Sequence, residues 1–137
     1  MDNFITLKDW SSDQIITILE LAKKLKQSAK LKEMTPYLNG KTLAMIFQKP
    51  SNRTRISFEV GMHQLGGVAL NIQHGEIGMG ARETVEDVAG VLSRYVDGVM
   101  IRANYHKDIE QFAKHATRSE EHTSELQSPC NLVCRLL

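Results

Sequence analysis

The sequence predicts an α/β fold, a three-layer sandwich in which a parallel sheet carries helices on both faces. Short apolar runs bounded by turn residues alternate along the chain with longer stretches whose apolar residues recur at helical spacing. Strands that alternate with helices form parallel sheets, and such sheets need helices over both faces. The 137 residues fit one domain, and a hydrophobic fraction of 42% is enough to form its core.

Turn and cap residues set the ends of the predicted elements. Ser11 or Ser12 can cap the first helix, and Gln14 completes a capping box with Ser11. Gly66-Gly67 stops the second helix, and residues 73–82 hold three glycines and no periodic pattern, which predicts a loop able to close over a ligand. The elements in order are a helix to about Leu31, a strand over 42–47, a helix over 53–65, a strand over 68–72, a helix over 83–95, a strand over 98–101 and a helix over 107–115.

Composition and charge exclude several classes of function. The net charge of +1 gives no overall basic field, so nucleic acid and anionic membranes are not expected partners. The first ten residues are polar and charged enough to predict neither a signal peptide nor a membrane span, and hence a cytoplasmic location. Cys130 and Cys134 lack a second pair or a histidine cluster, so we expect neither a zinc site nor a disulfide framework. No metal or organic cofactor is implied by the sequence.

A basic, hydroxyl-rich turn, Ser51-Asn52-Arg53-Thr54-Arg55, lies between the first strand and the second helix. A helix that begins there presents free backbone N–H groups beside hydroxyls and a guanidinium, which together bind anions. Because no GxxxxGK[ST] or GxGxxG motif is present, we expect a small phosphorylated molecule rather than a nucleotide. Arg102 ends the third strand, at the sheet edge where ligands of parallel sheets bind.

Structural roles are the alternatives for these residues. Arg53 could pair with a carboxylate such as Glu59 or Glu83, Arg102 could face solvent, and the polar residues of the turn could be plain helix caps. Arg55 has the favourable i,i+4 spacing to Glu59, so we predict that it braces the turn.

Two segments resemble the aspartate/ornithine carbamoyltransferase family. Residues 47–59 (FQKPSNRTRISFE) are similar to its carbamoyl-phosphate motif, and residues 82–87 (RETVED) with 91–102 (VLSRYVDGVMIR) are similar to its next block. The resemblance covers about residues 1–117. Within the family, residues 38–47 and 92–102 look like ornithine rather than aspartate enzymes.

The resemblance implies transfer of the carbamoyl group of carbamoyl phosphate to ornithine, giving citrulline and phosphate in arginine metabolism. Such a reaction needs positioning and positive charge rather than a covalent nucleophile. The resemblance implies that Arg53, Thr54 and Arg102 are catalytic, with Arg53 on the phosphate and the other two near the carbonyl oxygen and phosphate. The implied substrate-binding residues are Ser51, Asn52, Arg53, Thr54 and Arg102. It also implies a homotrimer and an ornithine-binding second domain.

The chain departs from the family pattern in three places. Asn52 stands where the family has threonine, and Gly78 stands where it often has glutamine. After Thr117 the family continues into a His-Pro-Cys-Gln motif and a second domain. Residues 118–137 (RSEEHTSELQSPCNLVCRLL) instead look like the translation of a sequencing-adapter oligonucleotide.

These departures lead to a division of the chain into two parts. We interpret residues 1–117 as the carbamoyl-phosphate-binding domain, the truncated N-terminal domain of a two-domain family, and 118–137 as a non-native tail. The chain alone is expected to bind carbamoyl phosphate without turnover. The alternatives are an aspartate carbamoyltransferase fragment, a phosphate-binding module without catalysis, and a truncation that does not fold stably.

Overall fold

The computed structural model describes residues 4–73, 75, 78 and 82–116. The predicted tail and most of the predicted 73–82 loop, His74 included, lie outside the described residues. The order of elements confirms the α/β prediction. A 3-10 helix at Leu7–Asp9 is followed by α1 (Ser12–Leu31), β1 (Thr42–Phe47), α2 (Asn52–Gln64), β2 (Val68–Gln73), α3 (Val85–Tyr95), β3 (Gly98–Arg102) and α4 (His106–His115).

The three strands form a parallel sheet in the order β2-β1-β3. β1 lies in the centre, and its four inner residues, 43–46, are buried, which explains their uninterrupted apolar character. At the end of β1, Phe47 is opposite both Gln73 of β2 and Arg102 of β3. The carboxyl ends of all three strands therefore meet at one edge of the sheet.

Each face of the sheet carries its own apolar core. On one face, α3 and α4 pack against β1 and β3. On the other face, α2 and the turn before β1 pack against the same two strands. The prediction of helices on both faces is confirmed. The buried residues are Ile46, Val88, Ala89, Ile101, Ile109 and Phe112 in the first core, and Leu38, Leu43, Met45, Met62 and Met100 in the second.

Cap geometry sets the starts of α1 and α3. Ser11 Oγ accepts the Gln14 N–H at 3.3 Å, and Gln14 Oε1 accepts the Ser11 N–H at 2.8 Å, so the predicted capping box is present. α3 begins at Val85, two residues later than predicted, because Thr84 Oγ1 accepts the Asp87 N–H at 3.1 Å and takes the cap position.

The glycine pair after α2 is a stop signal for a steric reason. Gly66 has φ +83°, and a Cβ atom there would lie 2.8 Å from Pro36 Cβ. A side chain at position 66 would collide with Pro36, so glycine is required where the chain turns from α2 towards β2. Among the described residues, none of the helices has the length and apolar character needed to cross a membrane.

Candidate functional site

The topology of the sheet predicts a crevice at the carboxyl ends of β1 and β3. The chain leaves β1 for α2 on one face of the sheet and leaves β3 for α4 on the opposite face. Neighbouring strands whose connections diverge in this way leave a gap between their ends, which is where open α/β sheets bind ligands. Both groups of predicted site residues, the turn after β1 and Arg102 at the end of β3, lie at this gap.

The turn after β1 delivers the amino terminus of α2 to the crevice. Ser51 is extended, with φ −155° and ψ 90°, and Asn52 is the first helical residue. The first backbone hydrogen bond of the helix runs from the Arg55 N–H to the Ser51 carbonyl at 3.0 Å. The N–H groups of Asn52, Arg53 and Thr54 precede that bond and lack an intrahelical partner.

The Ser51 side chain does not cap α2. Its Oγ donates instead to Thr54 Oγ1 at 2.9 Å, so the two half-buried hydroxyls adjoin each other at the helix start. Ser11 and Thr84, in contrast, do cap their helices. The plain-cap alternative is therefore wrong for Ser51, and the helix start offers both hydroxyls and backbone N–H groups to an anion.

The two arginines of the turn are placed differently. Arg55 Nη1 donates to both carboxylate oxygens of Glu59 at 3.0 and 3.1 Å, as predicted from the i,i+4 spacing. This pair removes Glu59 as a partner for Arg53. Within the described part of the chain, no ion pair involves Arg53 or Arg102. Arg53 is exposed and Asn52 beside it is exposed too, so both are accessible to a ligand.

Arg102 is the half-buried last residue of β3. Its carbonyl oxygen accepts the backbone N–H of Gln48 at 2.9 Å, which ties the strand end to the turn that leads into α2. Gln48 Oε1 also accepts the Asn104 N–H at 2.6 Å. Gln48 is not among the predicted site residues, although its place directly after a buried strand at the ligand-binding edge is a signal in the sequence.

Gly78 is buried and has φ +60°. Its carbonyl accepts the Arg82 N–H at 2.7 Å, and a Cβ atom at Gly78 would lie 2.9 Å from Arg82 Cβ. The departure at this position thus has a physical reason, since the Arg82 side chain occupies the space that a larger residue would need. In the part of the chain that the structure describes, no cluster of three or more potential metal ligands occurs.

The sequence matches the profile of the aspartate/ornithine carbamoyltransferase, carbamoyl-P binding domain, over residues 2–132. The chain belongs to this family. It is 49% identical over 114 residues to the ornithine carbamoyltransferase of Campylobacter curvus, covering 83% of this chain and 38% of that protein. It therefore spans less than half the length of such relatives.

Solved structures of the carbamoyltransferase family share the fold. An ornithine carbamoyltransferase from Pyrococcus furiosus matches with a TM-score of 0.80 and 51% identity, covering 82% of this chain and 36% of that one. The catalytic subunit of the M. jannaschii aspartate transcarbamoylase matches with a TM-score of 0.76 and 30% identity, covering 85% of this chain and 37% of that one. In both comparisons, the matched part is little more than a third of the solved chain.

Proposed function

We propose that the chain is the first domain of an ornithine carbamoyltransferase and that it binds carbamoyl phosphate in the crevice between β1 and β3. One observation carries the proposal: the uncapped start of α2, with its paired Ser51 and Thr54 hydroxyls, follows within three residues of Gln48, whose N–H bonds to the carbonyl of Arg102 at 2.9 Å. The family domain that the chain matches is a carbamoyl-P binding domain, which supports carbamoyl phosphate as the anion.

Each proposed ligand residue contributes a donor suited to its part of the substrate. Arg53 meets the phosphate oxygens, because a guanidinium can donate two parallel hydrogen bonds and carries positive charge. The Asn52 amide donates to the same phosphate, together with the backbone N–H groups, and Ser51 joins them when its single hydroxyl proton turns from Thr54 Oγ1 to the ligand. Thr54 and Arg102 reach the carbonyl oxygen and the bridging side of the phosphate, where negative charge grows during reaction.

The proposed chemistry is direct transfer. The neutral ornithine δ-amine attacks the carbonyl carbon, a C–N bond forms, the C–O bond to phosphate breaks, and the amine proton passes to the phosphate, which leaves as hydrogen phosphate. Arg53, Thr54 and Arg102 are catalytic in this scheme because they hold the reacting groups and stabilise the charge on the oxygens. Ornithine would be bound by the part of the enzyme that the chain does not span, so we expect this chain to bind carbamoyl phosphate without turnover.

Ornithine is proposed over aspartate as the acceptor on the similarity of the chain. Three ornithine enzymes are 49–51% identical to the chain, whereas the aspartate transcarbamoylase subunit is 30% identical, as is a mitochondrial ornithine enzyme. A second candidate is a phosphate-binding module without catalysis, which the uncapped start of α2 would serve equally well. Fusing the chain to the second domain of an ornithine enzyme separates the two, because only a catalytic domain restores citrulline formation.

Arg53→Ala tests the site assignment. Carbamoyl phosphate should raise the midpoint of thermal unfolding of the unmodified chain, since a ligand that binds the folded state stabilises it. The variant should lose this protection, because removing a charged phosphate contact weakens binding about 10- to 100-fold. Arg94→Ala, an exposed arginine in the last turn of α3, is the matched control and should keep full protection. Full protection in Arg53→Ala would show that the site is assigned wrongly.

Assembly as a homotrimer and a cytoplasmic location are further parts of the proposal. Apolar side chains exposed on α2 (Ile56 and Val60) and on β2 (Val68 and Leu70) support self-association. Sedimentation equilibrium should give three times the 15.4 kDa mass of the chain, and a monomer at all concentrations would contradict the trimer.

We also propose that residues 118–137 are foreign to the protein. Their likeness to an adapter translation supports this, although the family profile extends to residue 132 and two relatives align over 96% and 100% of this chain. Re-amplification of the source gene across the codon for Thr117 is the test. A reading frame that continues into His-Pro-Cys-Gln supports the proposal, and one that encodes 118–137 as printed refutes it.

A further inference from the structure

Gln48, the first residue after β1, makes two hydrogen bonds to the segment that follows β3. Its backbone N–H donates to the Arg102 carbonyl oxygen at 2.9 Å. Its side-chain Oε1 accepts the Asn104 N–H at 2.6 Å. The two contacts lie on either side of Ala103, so they hold the main chain on the carboxyl side of Arg102 at two points.

The side-chain bond takes the place of a main-chain bond of the sheet. In a parallel pair of strands, the N–H of a residue donates to the residue before its partner on the neighbouring strand. The C=O of the same residue accepts from the residue after that partner. Phe47 is opposite Arg102, so Gln48 is opposite Ala103, and its C=O would next accept the Asn104 N–H. The backbone bends away towards α2 at Gln48 and Lys49, and the side-chain carbonyl accepts that N–H instead.

We infer that Gln48 is a positioning residue for Arg102, an inference that rests on the proposed function. Gln48 extends the hydrogen bonding between β1 and β3 by one residue beyond the strand ends. It lies three residues before Ser51. The start of α2 and the Arg102 backbone are thereby fixed relative to each other across the crevice. The neutral amide achieves this without placing a negative charge beside the anion, as a carboxylate would.

A double-mutant cycle in the full 137-residue chain tests the inference. The variants are Gln48→Met, which keeps the length of the side chain and removes the acceptor, Arg102→Ala, and the two combined. Gln64→Met at the far end of α2 is the matched control, because this glutamine is exposed and remote from the strand ends. Calorimetric titration with freshly dissolved carbamoyl phosphate gives the dissociation constant of each.

Gln48→Met should weaken binding about fivefold, the effect of one neutral hydrogen bond. The same change in the Arg102→Ala background should cost less than about twofold, because a residue that acts through Arg102 has no effect once Arg102 is absent. Gln64→Met should bind as the unmodified chain does. A loss of equal size in both backgrounds, or no loss in the first, overturns the positioning role while leaving the proposed function intact.

Failure of the proposed function gives a different pattern. If the unmodified chain binds no carbamoyl phosphate, the site proposal fails and the role of Gln48 fails with it. The hydrogen bond itself has its own measurement in the Asn104 amide proton. Its exchange with solvent should be faster in Gln48→Met than in Gln48→Glu, which keeps an oxygen acceptor, and equal rates in the two variants would refute the bond.

Discussion

Two arginines of the same turn serve different purposes, and their surroundings decide which. Arg55 is bound to both oxygens of Glu59, whereas Arg53, two residues earlier, makes no ion pair among the described residues. An arginine held by a carboxylate is a poor ligand for a second anion, because its donors are occupied and its charge is compensated. The i,i+4 spacing predicts the Arg55–Glu59 pair, which the structure confirms, whereas the phosphate role of Arg53 is what the family resemblance implies.

Arg55→Ala should therefore affect stability slightly and anion binding hardly at all. The pair is about one third exposed on each side, with side-chain exposures of 38% and 34%, so solvent screens it. We expect a loss of about 0.3–0.5 kcal/mol in the free energy of unfolding. Urea denaturation measures this value, and calorimetry should give an unchanged dissociation constant for carbamoyl phosphate. A large loss of affinity would place Arg55 in the site.

Gly78→Ala should destabilise the chain, whereas Gly75→Ala should not. A Cβ atom at Gly78 meets Arg82 Cβ at 2.9 Å and imposes a side chain on a backbone with φ +60°, but a Cβ atom at Gly75 meets nothing within 4 Å. The first change should cost about 1–2 kcal/mol. The matched pair of urea unfolding curves checks it, and equal stability of both variants would contradict the described packing.

At the scale of the elements, α1 and α3 begin with a side-chain cap, whereas α2 does not. The two caps come from Ser11 and Thr84. α2 has a serine at the same position, yet this serine bonds to Thr54 instead. Capping stabilises a helix, so an uncapped start that faces a crevice is consistent with donors kept available for a ligand.

Ser11→Ala should destabilise α1 by about 1 kcal/mol, since it removes one side of the capping box. None of the residues of α1 is buried, so tertiary packing compensates little for a lost cap. Hydrogen exchange of the first-turn amides is the measurement, with Ser12→Ala as control because Ser12 lies within the helix. Equal exchange rates in the two variants would mean that the box contributes nothing.

Local patterns predicted the elements well, and long-range contacts could not be predicted in the same way. The strand over 42–47 and the end of α1 at Leu31 are where periodicity and turn signals placed them. The bond from Asn104 to Gln48 joins residues 56 positions apart and depends on strand order, which no local pattern specifies. The packing of Arg82 over Gly78 likewise follows from the folded loop rather than from either residue type.

At the scale of the whole molecule, the sheet is covered unevenly. The centre is closed on both faces, with Ala44, Met45 and Met100 fully buried. β2 at the edge is open, and Val68 and Leu70 are 56% and 45% exposed. The chain nevertheless has two apolar cores that share the central strand, which favours a single cooperative unit over the alternative of a truncation that does not fold.

Urea unfolding followed by circular dichroism and by Trp10 fluorescence should therefore give coincident, sigmoidal transitions. Trp10 is a suitable reporter because its ring lies 5.0 Å from that of Phe4 and leaves this contact on unfolding. A gradual change without a cooperative transition would show that residues 4–116 do not form a stable domain in isolation, and the non-folding alternative would then hold.

The most direct test of the central claim is a titration of the ¹⁵N-labelled chain with carbamoyl phosphate, followed by amide NMR. The largest shifts should fall on Asn52, Arg53 and Thr54 at the start of α2, and on residues 102–104 after β3. The amides of α1 and of the opposite sheet edge, near Lys41 and Asp97, should stay unchanged. Shifts that are absent, or that are spread over α1 while the start of α2 is silent, would contradict a carbamoyl-phosphate site at the β1–β3 crevice.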